Sequence, residues 1–171
     1  MGGMDLIIIE GPDGSGKSKL AKRLSADLKI PVIHQGPAPA TKEECNERKY
    51  RACYYLTQDV IQDRSTLISE PIYGVLIRKD AWITVQESTS ILKAFKNIVV
   101  IYCGIVIGHE ESDHDTAEYL KDLWRHEKEV VDLYAGVMEH LKLSSIVVHK
   151  YTYDYEACMR FLSCVRPTTG K

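Results

Sequence analysis

The chain has 171 residues, 44% of them hydrophobic and 27% charged, a composition ordinary for a globular protein and a length that suits one domain with a sizeable core rather than two. A formal net charge of -2 and a pI near 6.3 lack the basic excess of a nucleic-acid-binding surface, so no nucleic-acid partner is expected. No apolar run reaches the ~18 residues of a membrane span and no signal-peptide pattern opens the chain, so no membrane partner is expected and the location reads as cytoplasmic.

In chain order, residues 5–9 are almost wholly aliphatic, as a strand covered on both faces should be. The stretch from Glu10 to Ser18 follows, and residues 17–28 then repeat leucine and alanine at helical spacing. Strand, glycine-rich loop and helix are the setting in which G-x-x-x-x-G-K-[ST] cradles phosphate. Gly11 and Gly16 let backbone N–H groups approach phosphate oxygens, and the helix N-terminus adds partial positive charge. Lys17 can reach the β and γ phosphates, and the Ser18 hydroxyl can ligate Mg²⁺.

Residues 30–33 predict a short strand whose Pro31 suits an edge or a strand's first residue. Residues 34–40 form a loop held by two prolines and a glycine. The helix predicted over 41–56 starts at Thr41 with Glu44 as the capping-box acid. Its apolar face gathers Cys45, Ala52, Cys53 and Leu56. Arg48 and Arg51 share the flank, where they either line a pocket or pair with Glu44, Glu47 or Asp59.

The extended segment 59–65 ends in Asp63-Arg64-Ser65. Ligands of an open parallel sheet bind just beyond strand C-terminal ends, so Asp63 is placed to meet Mg²⁺ or an acceptor and Arg64 a phosphate. A surface Asp-Arg pair is the plainer alternative. Residues 69–79 predict a short helix with Pro71 in its first turn, and its Tyr73 either walls a sugar pocket or is a packed aromatic.

A helix is predicted over 83–94 and a buried strand over 97–103. The acidic, glycine-containing segment 104–115 is placed to be a lid or a plain surface loop. A long helix over 116–141, a strand over 145–149 and a helix over 153–165 complete the pattern. Strands alternate with helices throughout, which predicts a single doubly wound α/β domain with a parallel five-stranded sheet. The five cysteines, Cys45, Cys53, Cys103, Cys158 and Cys164, form no C-x-x-C pair and read as reduced thiols, and His109 and His114 read as solvated loop residues.

The loop Gly11 to Ser18, with Asp63-Arg64-Ser65 and Glu70-Pro71-Ile72-Tyr73 far downstream, resembles the thymidylate kinase-like group of P-loop (deoxy)nucleoside monophosphate kinases, which includes viral members. The resemblance implies a three-layer α/β/α sandwich with strand order 2-3-1-4-5. It implies phosphoryl transfer from Mg·ATP to a nucleoside monophosphate, with dTMP as the first acceptor to consider and a homodimer left open. By the same resemblance Gly11, Asp13, Gly14, Ser15, Gly16, Lys17, Ser18 and Lys19 hold the donor, and Ser18 and Asp63 hold Mg²⁺. Asp13 sits between donor and acceptor. Lys17, Asp13, Asp63 and Arg64 then carry the chemistry, while Arg48 or Arg51 joins Arg64, Glu70 and Tyr73 at the acceptor, with Tyr73 disfavouring a 2′-hydroxyl.

The chain departs from the family pattern in four places. Ser65 replaces an aromatic, Ser69 comes one residue late, and His34-Gln35-Gly36-Pro37 stands where an Arg-Glu-Pro segment is usual. Neither Gly14-Ser15 nor segment 104–115 supplies the arginine or lysine that related kinases place over the phosphates, so Lys19, Lys121 or Arg125 substitutes or the lid cation is absent. A neighbouring family, the deoxynucleoside kinases, also pairs a P-loop with an acidic-Arg-Ser block. There Glu70 or Asp63 would act as general base for a 5′-hydroxyl. An acceptor-independent ATPase switch is the third alternative.

Overall fold

The computed structural model describes residues 5–55, 58–107 and 124–165. Five strands, β1 (Asp5–Glu10), β2 (Val32–His34), β3 (Val60–Asp63), β4 (Asn97–Tyr102) and β5 (Val147–Lys150), form a parallel sheet of order β2-β3-β1-β4-β5. Side chains alternate across a pleat, so Leu6 and Ile8 of β1 enter one core and Ile7 and Ile9 the other.

Helices α1 (Lys17–Leu28) and α6 (Tyr155–Val165) cover the Ile7 face with Leu20, Leu24, Tyr155 and Leu162. Helices α2 (Lys42–Tyr54), α3 (Thr66–Arg78), α4 (Val85–Leu92) and α5 (Glu127–Leu143) cover the Ile8 face with Cys45, Ile72, Leu92 and Tyr134 among others. The parallel five-stranded sheet is as the alternation of elements predicts, and the three layers and strand order are those the resemblance implies. Among the described residues no helix is long and apolar enough to cross a membrane.

Capping at α2 follows the predicted chemistry, with the Glu44 amide donating to Thr41 Oγ1 at 3.1 Å. The Glu44 carboxylate reaches one residue further back than a regular box, to the Ala40 amide at 2.8 Å. Two local expectations are corrected. Helix α3 starts at Thr66, three residues earlier than predicted, so Pro71 lies inside it and removes an interior N–H donor. Burial of Leu67, Ile68 and Ile72, each at most 2% exposed, holds the helix through that defect. The inner stripe of α2 runs through Cys45, Ala52 and Tyr55, leaving Cys53 exposed, because spacings of seven and three follow the helical period better than the cluster proposed from sequence. Residues 108–123, which include most of the expected lid, His109, His114, Lys121 and the start of the predicted long helix, lie outside the described residues, as does Leu56.

Candidate active site

The glycine-rich loop leaves the C-terminal end of β1. Gly11 has φ +154°, and a β carbon there would lie 2.1 Å from the Cys103 carbonyl oxygen, so only glycine lets the loop pass β4. Gly16 caps α1 at φ 82°, in left-handed geometry. Just behind it, the first-turn amides of α1 have no intrahelical acceptor. From outside, the Ile107 amide donates to Gly14 O at 2.8 Å, and the Tyr153 hydroxyl lies 3.0 Å from Ser15 O and 2.7 Å from Ile105 O. These contacts tie the loop's carbonyls outward.

Lys17 folds back so that Nζ donates to Pro12 O at 2.7 Å. Burial, reinforced by the nearby Arg64 guanidinium, pushes its amine down to about 8 despite the carboxylates of Asp13, Glu10 and Asp63. Ser18 Oγ donates to Asp63 Oδ2 at 2.6 Å, and His34 Nδ1 lies 2.9 Å from the same oxygen. A hydroxyl and a carboxylate oxygen converging beside the glycine-rich loop are hard donors of the kind Mg²⁺ takes. Among the described residues no group of three His, Cys, Asp or Glu could hold a metal. Lys19 is exposed on α1.

Arg64 follows β3 with φ 71°, a left-handed conformation that costs a non-glycine residue about 1–2 kcal/mol. It is clamped on both sides. Its own amide donates to Ile9 O at 2.9 Å, and the next amide, of Ser65, donates to Glu10 Oε1 at 2.6 Å. Glu10 is fully buried, and its other oxygen accepts from the Tyr134 hydroxyl at 3.0 Å. Burial pushes the Glu10 carboxyl up, and the Arg64 charge opposes that. The strained backbone turns Arg64 toward the loop, where Nη2 donates to Asp13 Oδ1 at 2.7 Å and the guanidinium lies 5.0 Å from the centre of the Tyr73 ring.

Beyond Arg64 lies a cavity of about 200 Å³, lined by Asp13, Arg48, Arg64, Ser69, Glu70 and Tyr73 together with Thr66, Ile77 and residues 35–39. Arg48 satisfies both sequence alternatives at once, since it lines the cavity while donating to Pro37 O at 2.7 Å and pairing with Glu44. Arg51 is corrected: it is exposed and does not line the cavity, because the helical turn carries it away from the flank that Arg48 occupies. Tyr73 is a packed aromatic, edge-on to Tyr134 at 6.0 Å, and it also lines the cavity. Glu70 Oε1 takes the Arg78 guanidinium and the Trp82 amide, the latter at 2.9 Å.

Sequence reasoning did not single out Glu10, Tyr134, Tyr153 or Arg78. An acid closing an otherwise aliphatic strand was a signal for Glu10, and the spacing Glu70-Gly74-Arg78 was one for a pair lying along a helix. Tyr134 and Tyr153 reach the site only through tertiary packing.

No protein-family model and no curated protein matches the chain. Solved structures do. The YorR protein of Bacillus subtilis, in complex with phosphorylated GDP, matches with a TM-score of 0.61 at 23% identity over 92% of this chain and 95% of its own. Deoxyadenosine kinase from M. mycoides with bound dCTP matches at 0.58 and 18% over 94% of this chain and 100% of its own. Thymidylate kinase from Ehrlichia chaffeensis matches at 0.52 and 14% over 94% and 99%. The chain has the fold of the P-loop nucleoside and nucleotide kinases. At these identities the likeness is one of fold. Within that kinase fold, the glycine-rich loop, Asp63-Arg64 and the cavity lie together at the C-terminal end of β1 and β3, where open parallel sheets bind ligands.

Proposed function

We propose that the chain transfers the γ-phosphoryl group of ATP to a deoxynucleoside monophosphate. One observation carries the reading: Arg64, backbone-strained and clamped, bridges the glycine-rich loop through Asp13 and lines the adjoining cavity. A cation there stands where two anionic substrates would have to meet, and catalysis of phosphoryl transfer is mostly positioning and charge stabilisation. Lys17 and the loop amides would hold the donor phosphates. Ser18 and Asp63 would hold Mg²⁺, which when bound supplies charge neutralisation on the donor's phosphate oxygens. Arg64 and Arg48 would grip the acceptor phosphate, and Tyr73 would lie under the sugar and disfavour a 2′-hydroxyl.

A deoxynucleoside acceptor would need a general base for its 5′-hydroxyl, whereas a monophosphate brings its own anionic oxygen. Asp63 is engaged by Ser18 and His34, and one oxygen of Glu70 by Arg78 and Trp82. The engagement of Asp63 disfavours it as that base, whereas Glu70 keeps a second oxygen with no hydrogen-bond partner among the described residues. An ADP-release assay across deoxynucleosides and their monophosphates tests the monophosphate reading. Turnover with monophosphates is expected. Turnover with nucleosides alone would transfer the reading to the deoxynucleoside kinases, and hydrolysis indifferent to every acceptor would make the chain an ATPase.

A further inference from the structure

Glu10 is a buried carboxylate to which the phosphoryl transfer proposed above gives no task. It is 0% exposed and ends a strand whose four preceding residues, Leu6 to Ile9, are all aliphatic. Two residues beyond Ile8, it projects into the same core layer, the one that holds Tyr73, Tyr102 and Tyr134. A carboxylate in such a place is costly unless charge and hydrogen bonds meet it. Here both oxygens are met. Oε1 accepts from the Ser65 amide at 2.6 Å, and Oε2 accepts from the Tyr134 hydroxyl at 3.0 Å, with the Gly11 amide 3.4 Å away.

Each partner belongs to a segment that the reaction needs in place. Ser65 caps α3 and follows Arg64, whose own amide is held by Ile9 O at 2.9 Å, so two consecutive residues of β1 fix the two sides of the left-handed Arg64 turn. Gly11 opens the glycine-rich loop. Tyr134, on α5, is 0% exposed; its ring stacks on Tyr102 at 6.1 Å between centres and meets Tyr73 edge-on at 6.0 Å, so packing from two other elements aims its hydroxyl at Glu10. A non-glycine residue abandons left-handed geometry once the contacts that impose it are gone. Relaxation of that turn would carry the guanidinium away from Asp13 Oδ1, to which Nη2 donates at 2.7 Å, and away from the cavity it lines.

We propose that Glu10 and Tyr134 are positioning residues of the reaction: Tyr134 orients the Glu10 carboxylate, and the carboxylate holds the Arg64 turn against the start of the glycine-rich loop, fixing the separation of the two substrate sites. The roles rest on the monophosphate kinase reading above, in which Arg64 grips the acceptor. Both residues are fully buried, so they act through Arg64 and not by touching a substrate. Their contribution falls on the chemical step more than on binding, because Arg64 and Lys17 keep their charges when the pair is broken, while a displacement of about 1 Å between reacting groups costs on the order of 10²-fold in rate. A pair that merely satisfied itself in the core would add stability and leave the turnover of the folded protein untouched.

Tyr134→Phe removes the hydroxyl and keeps the ring. Its kcat and KM are measured with whichever of dTMP, dCMP, dAMP and dGMP the unaltered protein turns over fastest, with ATP affinity and a thermal melt alongside. The kcat is expected to fall roughly tenfold or more, with acceptor KM and ATP affinity within about threefold of the unaltered values. In an Arg64→Ala background the same substitution should add little further loss, since residues that act as a unit are non-additive. Glu10 supplies a second pair of variants. Glu10→Gln keeps the reach without the charge, and Glu10→Asp keeps the charge but is one methylene short; the glutamine variant should be the more active. An unchanged kcat in Tyr134→Phe, an equal fractional loss with and without Arg64, or Glu10→Asp more active than Glu10→Gln would overturn the proposal. If Tyr134→Phe melts below the assay temperature, the order of the two Glu10 variants decides alone. If the unaltered protein binds ATP but phosphorylates none of the four monophosphates, it is the monophosphate kinase reading that fails, and this inference with it; any of the three contrary results in a protein that does turn them over sinks this inference only.

Discussion

Replacing Arg64 with alanine removes a guanidinium that has five donors, one of which is committed to Asp13 at 2.7 Å. Two further charge-assisted hydrogen bonds to an acceptor phosphate, at about 1.5–3 kcal/mol each, would make the loss roughly 3–6 kcal/mol. At 1.36 kcal/mol per factor of ten, kcat/KM for the acceptor should fall by about 10²–10⁴. Stability should fall as well: Asp13 is 29% exposed and can be rehydrated, but the fully buried Glu10 loses the charge that opposes its desolvation. Alanine also inherits the φ of 71°, so the backbone strain remains. Arg64→Gly separates the two effects: it should lose the same activity while being more stable than Arg64→Ala by up to about 1 kcal/mol, since glycine adopts left-handed geometry freely. Acceptor titrations at saturating ATP, ATP titrations at saturating acceptor and thermal melts supply the measurements. A collapse of ATP affinity with unchanged acceptor kinetics would refute the assignment of Arg64 to the acceptor side.

Lys17→Ala should nearly abolish turnover while the melting curve stays close to that of the unaltered protein, because the folded state no longer has to bury an amine; retained activity would remove Lys17 from the donor site. Arg78→Ala leaves the enclosed Glu70 carboxylate without its cation, which should cost about 3 kcal/mol and lower Tm by roughly 6–12 °C; a shift under about 2 °C would mean that the pair contributes little. Burial pushes the thiols of Cys45 and Cys158 up to about 11 and that of Cys103 up to about 12. Only thiolate alkylates, so iodoacetamide at pH 8 should label Cys53 and Cys164 in the native protein and all five cysteines after denaturation, as read by intact mass. Native labelling of Cys103 would contradict its packing against the glycine-rich loop.

The glycine-rich loop was legible because it is local. Strand, glycines, Lys17 and Ser18 follow one another within about fourteen residues, and each requirement there, a positive φ or a helix N-terminus, is set by near neighbours. The cavity beside it was legible in part. Asp63-Arg64 announced itself at a strand end, and Arg48 was named with alternatives, lining a pocket or pairing with Glu44, that turned out to be compatible rather than exclusive. Arg51 and Cys53 were misplaced because a helix of low amphipathicity, in which Lys49 and Arg48 interrupt the apolar stripe, lets neighbouring faces score alike.

By itself the sequence determined the alternation of strands and helices, the glycine-rich loop of residues 11–18 between strand and helix and the placement of an Asp-Arg pair at a strand end, since these depend on periodicity and on backbone demands that particular residues meet. Tertiary structure decided what those residues face. Glu10 and Tyr134 are 124 positions apart, yet they close on one another at 3.0 Å behind Arg64. That one oxygen of Glu70 is held by Arg78 and the Trp82 amide beside Gly74, while the other meets no partner among the described residues, appears only in the folded chain. Hydrogen-bond satisfaction in a buried site is a property of the whole packed neighbourhood, and no window of sequence contains it.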